Sequence, residues 1–240
     1  LNKGYSNIVG YEIDENLGKK YDLVKYESFV SAKIDEKVDL VIGNPPYIRW
    51  KNLEDELKIE LKSNAIWNKY FNSLCDYLYV FILKSIEILK ENGQLIFICP
   101  EYWMNTTHSQ SLRNYMTRNG GFEVIYKFNE TKIFDKINVS LVIFKFIKTK
   151  KPQEYFNFYN FNEKLKIKNI LQQIEEKDLK KNLLVIKNFN SDSRWVFAKN
   201  KELEDIVKLE KSCSKDNSNL FNDANYYTIK DVCDVGNGLV

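Results

Sequence analysis

The chain has 240 residues, 44% of them apolar and 29% charged, with a formal net charge of +3. That is enough to bury one sizeable core and the beginning of a second, but too weakly basic for charge alone to identify a polyanionic partner. Cys75, Cys99, Cys213 and Cys233 show no C-x-x-C spacing and the one histidine is His108, which speaks against a metal site and for reduced thiols in a cytoplasmic setting; the longest apolar runs, Tyr77 to Leu83 and Leu95 to Cys99, are far too short to span a membrane, and the amino end does not read as a signal peptide.

In chain order, Asn7 to Asp14 is a short apolar run closed by carboxylates and predicts a strand feeding a helix that runs to about Lys20. Leu23 to Phe29 predicts a weaker strand. Val38 to Gly43 predicts a strong one, apolar enough to suit a parallel strand covered on both faces. It ends in Asn44-Pro45-Pro46-Tyr47.

Each residue type in that tetrapeptide has a physical consequence. The Asn44 side-chain carbonyl and the Pro45 backbone carbonyl are neutral acceptors. Neither proline has an N–H, and each restricts its predecessor to extended geometry, so both oxygens point into a cleft at the carboxyl end of a strand, where α/β folds place ligands. Two converging acceptors fit an NH2 group. An amino nitrogen conjugated with a purine ring is a poor nucleophile, and acceptors placed for its pyramidal form favour the transition state over the planar ground state. A sulfonium methyl is an electrophile that such a nitrogen can attack in line, with no metal and no covalent nucleophile. Tyr47 offers a flat face for the base, and such stacking is worth about 1–3 kcal/mol.

Further on, Lys51 to Asn72 is polar and charged, partly helical around Glu54 to Lys62, and is a candidate active-site cover. Asp76 to Lys90 is apolar almost all round and predicts a buried helix ended by Asn92-Gly93. Gln94 to Cys99 predicts a strand stopped by Pro100, and Ser109 to Arg118 a helix; His108, near its start, is assigned no role. Glu123 to Phe128 and Val139 to Ile147 are strands too close for a crossover helix, which predicts an antiparallel hairpin on the edge of the sheet. From Lys148 to Pro152 the composition turns polar and rich in Lys and Asn, and a boundary is placed between residues 1–150 and 151–240. Beyond it, Tyr155 to Phe161 predicts a strand, and Leu165 to Leu179 and Lys201 to Lys211 predict helices.

With these residues in place, the stretch from about Ile8 to Ile147 resembles the gamma-type N6-adenine DNA methyltransferases, in particular those fused into type IIG/IIS restriction-modification enzymes. The resemblance implies an α/β, Rossmann-like sheet with a terminal antiparallel hairpin, S-adenosylmethionine as cofactor and double-stranded DNA as substrate. It implies that Glu12, with Asp14 second, holds the ribose hydroxyls, since a carboxylate accepts two hydrogen bonds. Ser28-Phe29 stands where the family usually has Asp-Phe against the cofactor adenine; serine departs from that pattern, and Phe29 is left to pack on the ring. Phe81 would border the same adenine, and Asn44 and Pro46 would also line the cofactor. Asn44, Pro45, Pro46 and Tyr47 would form the catalytic loop, and Phe134, in a late loop spanning Lys132 to Ser140, would face Tyr47 and clamp an adenine flipped out of the duplex.

The family's glycine-rich cofactor loop has no counterpart in Leu1 to Asn7, so the fold is expected to be incomplete at its amino end. Tyr227 to Gly238 resembles the start of a target-recognition domain. The chain is therefore expected to be part of a longer protein, with a fused nuclease and recognition domain as its partners. Other readings stay open. A protein glutamine N5-methyltransferase uses the same tetrapeptide for a planar amide NH2, an RNA adenine methyltransferase would read its substrate by stacking and the 2′-OH, and a non-catalytic DNA-contacting module would need no complete cofactor site.

Overall fold

Two short strands, β1 (Gly10–Glu12) and β2 (Val24–Tyr26), pair in parallel as a small sheet of their own. The remaining described strands are β3 (Val38–Gly43), β4 (Leu89–Pro100), β5 (Gly120–Lys127), β6 (Leu141–Lys148), β7 (Tyr155–Asn160) and β8 (Leu183–Lys187). They form one sheet in the order β3-β4-β6-β5-β7-β8. The computed structural model describes residues 5–17, 22–129, 131, 133, 134, 139–161, 166–187, 195 and 197. The chain divides into two compact units, Leu1–Val196 and Phe197–Val240, and of the second only Phe197 is described.

The sheet is mixed. β3 and β4 run parallel, as do β5 and β7, while β6 is antiparallel to both β4 and β5, and β8 is antiparallel to β7. The antiparallel hairpin expected from the short connection is therefore present as β5 and β6. It does not form the edge, because β7 pairs with the outer side of β5 and β8 follows. The lysine-rich stretch after Lys148 does not interrupt the sheet.

Alternation on β4 buries Leu95, Phe97 and Cys99. Beside them, Phe122 meets Phe144 edge-on at 5.7 Å and packs on Phe156 at 5.5 Å and Trp195 at 5.6 Å. Such offset and perpendicular aromatic pairs add to the area that they bury.

Five helices are described: α1 (Asp55–Ser63), α2 (Ala65–Tyr70), α3 (Tyr77–Ile88), α4 (Gln110–Asn119) and α5 (Ile167–Glu175). α3 is buried almost all round, as its composition predicts. It stops at Ile88, because Leu89 is already extended and begins β4; Asn92, at φ 63°, takes the turn within that strand. Asn64 separates α1 from α2, and its side chain accepts the Trp67 N–H at 3.0 Å. α2 and β8 are elements that the sequence pattern did not indicate.

After β1 the described residues turn rather than continue into a helix. The Asp14 side chain accepts the Asn16 N–H at 2.8 Å, a local turn that competes with helix formation; residues 18–21 lie outside the described residues, as does the helix expected over Lys201 to Lys211. Among the described residues no helix is long and apolar enough to cross a membrane.

Candidate active site

β3 delivers Asn44-Pro45-Pro46-Tyr47 to its carboxyl end, with Asn44 exposed and Pro45 buried. The Tyr47 hydroxyl lies between two acceptors, the Ile98 carbonyl of β4 at 3.0 Å and the Asn44 side-chain oxygen. A phenol has one proton and serves one acceptor at a time, and the Asn44 carbonyl has a second lone pair. Its amide oxygen is thus shared without being exhausted. Burial, and then the neighbouring Cys99, raise the Tyr47 pKa, so the phenol stays neutral. Burial also pushes the Cys99 thiol up to about 12.

The far end of the loop is stapled to α3. The Tyr77 N–H donates to the Ile48 carbonyl at 3.0 Å, and Arg49 bridges Asp76 in antiparallel fashion. Asp76 is buried; its carboxylate accepts the Leu78 N–H at 3.0 Å and the Tyr102 hydroxyl. Burial raises its pKa, and the Tyr102 and Leu78 hydrogen bonds and the Arg49 charge only partly oppose this.

A second cluster stands beside the first. Glu12 ends β1 and accepts the Asp14 N–H at 3.0 Å, leaving the half-buried Glu12 and the exposed Asp14 carboxylates with spare lone pairs. Next to Glu12, Tyr11 meets Phe29 edge-on at 5.5 Å; Phe29 stacks on Phe81 at 5.5 Å, and Tyr77 meets Phe81 at 5.1 Å. Burial, and then the Glu60 charge, raise the Tyr77 pKa; the buried Ser28 hydroxyl nearby, outside hydrogen-bond geometry, opposes this only in part. Tyr77 joins the clusters, with its backbone on the Asn44 to Tyr47 side and its ring on the Phe29 side. A flat aromatic wall beside carboxylates suits the ring and diol of a nucleoside.

Of the residues singled out from sequence, the structure brings Phe29 and Phe81 into contact, with Ser28 adjoining Phe29 and Glu12 adjoining the Tyr11 ring that meets it; Asp14 is tied to this group through its N–H on Glu12. Phe134 is half-buried between β5 and β6. Among the described residues no ring contact joins it to Tyr47; residues 135–138 of its loop lie outside them. The helical insert that was expected to cover the site packs on the Phe29 side, where the Glu60 carboxylate accepts from the Tyr77 hydroxyl at 3.2 Å and from Ser31, and Asn64 donates to the Val30 carbonyl at 3.2 Å.

Asp76, Tyr102, Glu60 and Lys84 were missed. Lys84 did carry a signal, being the one cation in the apolar run Tyr77 to Ile88, and a charge there is buried only when paired. The others had none, since their partners are remote in sequence.

Comparison with known proteins extends the picture. Residues 2–134 match the Eco57I restriction-modification methylase family. The chain is 41% identical over 241 residues to the type II methyltransferase M.HindII of Haemophilus influenzae, covering 99% of this chain and 45% of that protein. It is 42% identical over 210 residues to M.HincII of Haemophilus influenzae, covering 88% and 40%. Against the type II restriction enzyme and methyltransferase RM.Eco57I of Escherichia coli it is 27% identical over 209 residues, covering 85% and 20%. The chain thus spans less than half the length of these curated relatives.

Among solved structures, a chain of a type I restriction-modification system superposes with a TM-score of 0.52 at 9% identity, over 79% of this chain and 46% of that one. The type ISP enzyme LlaGI, a nuclease-deletion mutant with a DNA substrate mimic, gives 0.50 at 14% identity, over 70% and 16%. At such identities the likeness is one of fold.

Proposed function

Because the chain belongs to the Eco57I restriction-modification methylase family, we propose that it carries most of the catalytic core of a DNA adenine-N6 methyltransferase that uses S-adenosylmethionine on an adenine flipped out of double-stranded DNA. The observation that carries this reading is the Asn44 to Tyr47 loop at the end of β3, held through α3 beside the Phe29–Phe81 wall and the Glu12 and Asp14 carboxylates. A base-binding lip and a nucleoside-binding wall lie on either side of one helix terminus.

Bound S-adenosylmethionine would supply a sulfonium methyl. Phe29 and Phe81 would pack on its adenine, Glu12 and Asp14 would accept from its ribose hydroxyls, and Asn44 and Pro46 would line its reactive end. The Asn44 side-chain oxygen and the Pro45 carbonyl would accept the two N6 protons of the target adenine and favour the pyramidal nitrogen. The N6 lone pair would form the new N–C bond as the S–C bond breaks with its electrons going to sulfur, and the surplus N6 proton would leave to water. When the base arrives, the Tyr47 phenol keeps the Ile98 carbonyl as its acceptor and leaves the Asn44 oxygen to the amino group. Tyr47 would stack on the base from one side, and Phe134 from the other.

In this reading residues 1–150 are the catalytic segment, and 151–240 are a connector that first extends the sheet through β7 and β8 and then begins a target-recognition domain. The place of β3 at one end of the described strand order supports a further strand beside it that brings the glycine-rich cofactor loop. A fused nuclease and a cytoplasmic setting belong to the same proposal. The test is to incubate the intact polypeptide that carries this chain with methyl-labelled S-adenosylmethionine and duplex DNA, then digest the products. Label in N6-methyladenine is expected; label in protein glutamine, or none in DNA, would overturn the reading.

A further inference from the structure

Lys84 is 8% exposed in the middle of α3. Its ammonium donates to the Val30 carbonyl at 2.9 Å and the Ala32 carbonyl at 2.5 Å, and lies 5.2 Å from the centre of the Phe29 ring. A buried cation is costly unless paired, and here two carbonyl dipoles and a ring face surround it. Burial lowers its pKa, while the charges of Glu60, then Glu87 and Glu27, act to raise it.

The segment that it grips is the turn carrying Phe29, closed by the Ala32 N–H on the Ser28 carbonyl at 2.9 Å. The same turn is held by the helical insert as well. Glu60 of α1 accepts from Ser31 and Tyr77, and the Asn64 amide donates to the Val30 carbonyl that Lys84 also reaches. Neither α1 nor α3 is near this turn in sequence. Both spend buried or half-buried polar groups on it.

We propose that Lys84 and Glu60 are positioning residues for the cofactor adenine: together they pin the 28–32 turn so that Phe29 stays stacked on Phe81 as a preformed face of the pocket. The inference deepens the methyltransferase reading and rests on its assignment of that wall to S-adenosylmethionine. The insert after the catalytic loop then acts as a buckle on the cofactor side. Preforming the face spares the ligand the cost of ordering the turn on binding.

Calorimetric titration of the intact polypeptide with S-adenosylmethionine and with 5′-methylthioadenosine, which keeps adenine and ribose but lacks the amino-acid end, tests this. Lys84→Met should weaken both ligands about tenfold and Glu60→Ala roughly threefold, with affinity for duplex DNA unchanged. A purely structural role would lower the unfolding midpoint and leave both affinities at the wild-type level; that result would overturn the proposal. So would a loss confined to S-adenosylmethionine, because the defect would then lie at the methionine end. If Lys84→Met does not fold, the half-buried Glu60→Ala decides alone, and unchanged affinity overturns the proposal. Failure of the wild type to bind S-adenosylmethionine would instead overturn the underlying functional reading.

Discussion

Asn44 carries the largest share of the proposed chemistry on one atom. Removing a single transition-state hydrogen-bond partner costs about 10²–10³ in turnover, so Asn44→Ala should lower the single-turnover methylation rate by that factor and change DNA affinity little. A near-wild-type rate would remove Asn44 from the mechanism. Tyr47 separates into a ring and a hydroxyl. Tyr47→Phe keeps the flat face and releases the Asn44 oxygen, so turnover should stay within about tenfold of wild type, whereas Tyr47→Ala should lose about 1–3 kcal/mol of base stacking. Fluorescence of 2-aminopurine at the target position reports both, and equal signals from the two variants would deny Tyr47 its stacking role. The place of this loop at the end of β3 was legible in sequence because an apolar strand and four consecutive residues define it. Phe29 and Phe81 were named from resemblance, and only the fold shows them stacked.

At the scale of elements, α3 does more than fill the core, since its start anchors the segment after Tyr47 through Asp76 and Tyr77. Asp76 caps the helix with a buried carboxylate whose pKa lies above its ordinary value of 3.8. The folded state therefore binds that proton more tightly than the unfolded state, and the resulting stability is present below the ordinary value and is lost as pH rises through the folded one. Asp76→Asn keeps a capping oxygen and removes the charge, so it should cost about 1 kcal/mol near pH 4 and less near pH 7. Urea unfolding at both pH values checks this, and a larger loss at pH 7 would reverse the sign. At the start of β5, a Cβ on Gly120 would lie 2.1 Å from the Ile147 carbonyl oxygen and 2.6 Å from the Phe146 ring. Gly120→Ala should therefore destabilise by about 1–3 kcal/mol, read as a lower denaturant midpoint. Strand and helix placement came through from periodicity. α2 and β8 did not, being short segments whose packing outweighs their pattern.

For the molecule as a whole, composition suggested a seam near residue 150, yet the sheet crosses it. β7 pairs with β5, and Phe156 and Trp195 complete the packing around Phe122. A polypeptide ending at residue 150 should thus expose that aromatic core, bind a hydrophobic dye and unfold at lower urea than one ending at residue 196. Equal midpoints would show that β7 and β8 are accessory to the fold. What the sequence by itself determined were the features written in consecutive residues or in a repeating period: the Asn-Pro-Pro-Tyr loop at the end of a strand, the buried helix and the antiparallel hairpin. Only the tertiary structure decided that Lys84 and Glu60 meet around the Phe29 turn, that Asp76 finds Tyr102, and that β7 covers the hairpin. Those contacts join residues far apart along the chain, and a hydrogen bond or ring contact leaves no mark in local pattern until folding brings its two halves within a few ångströms.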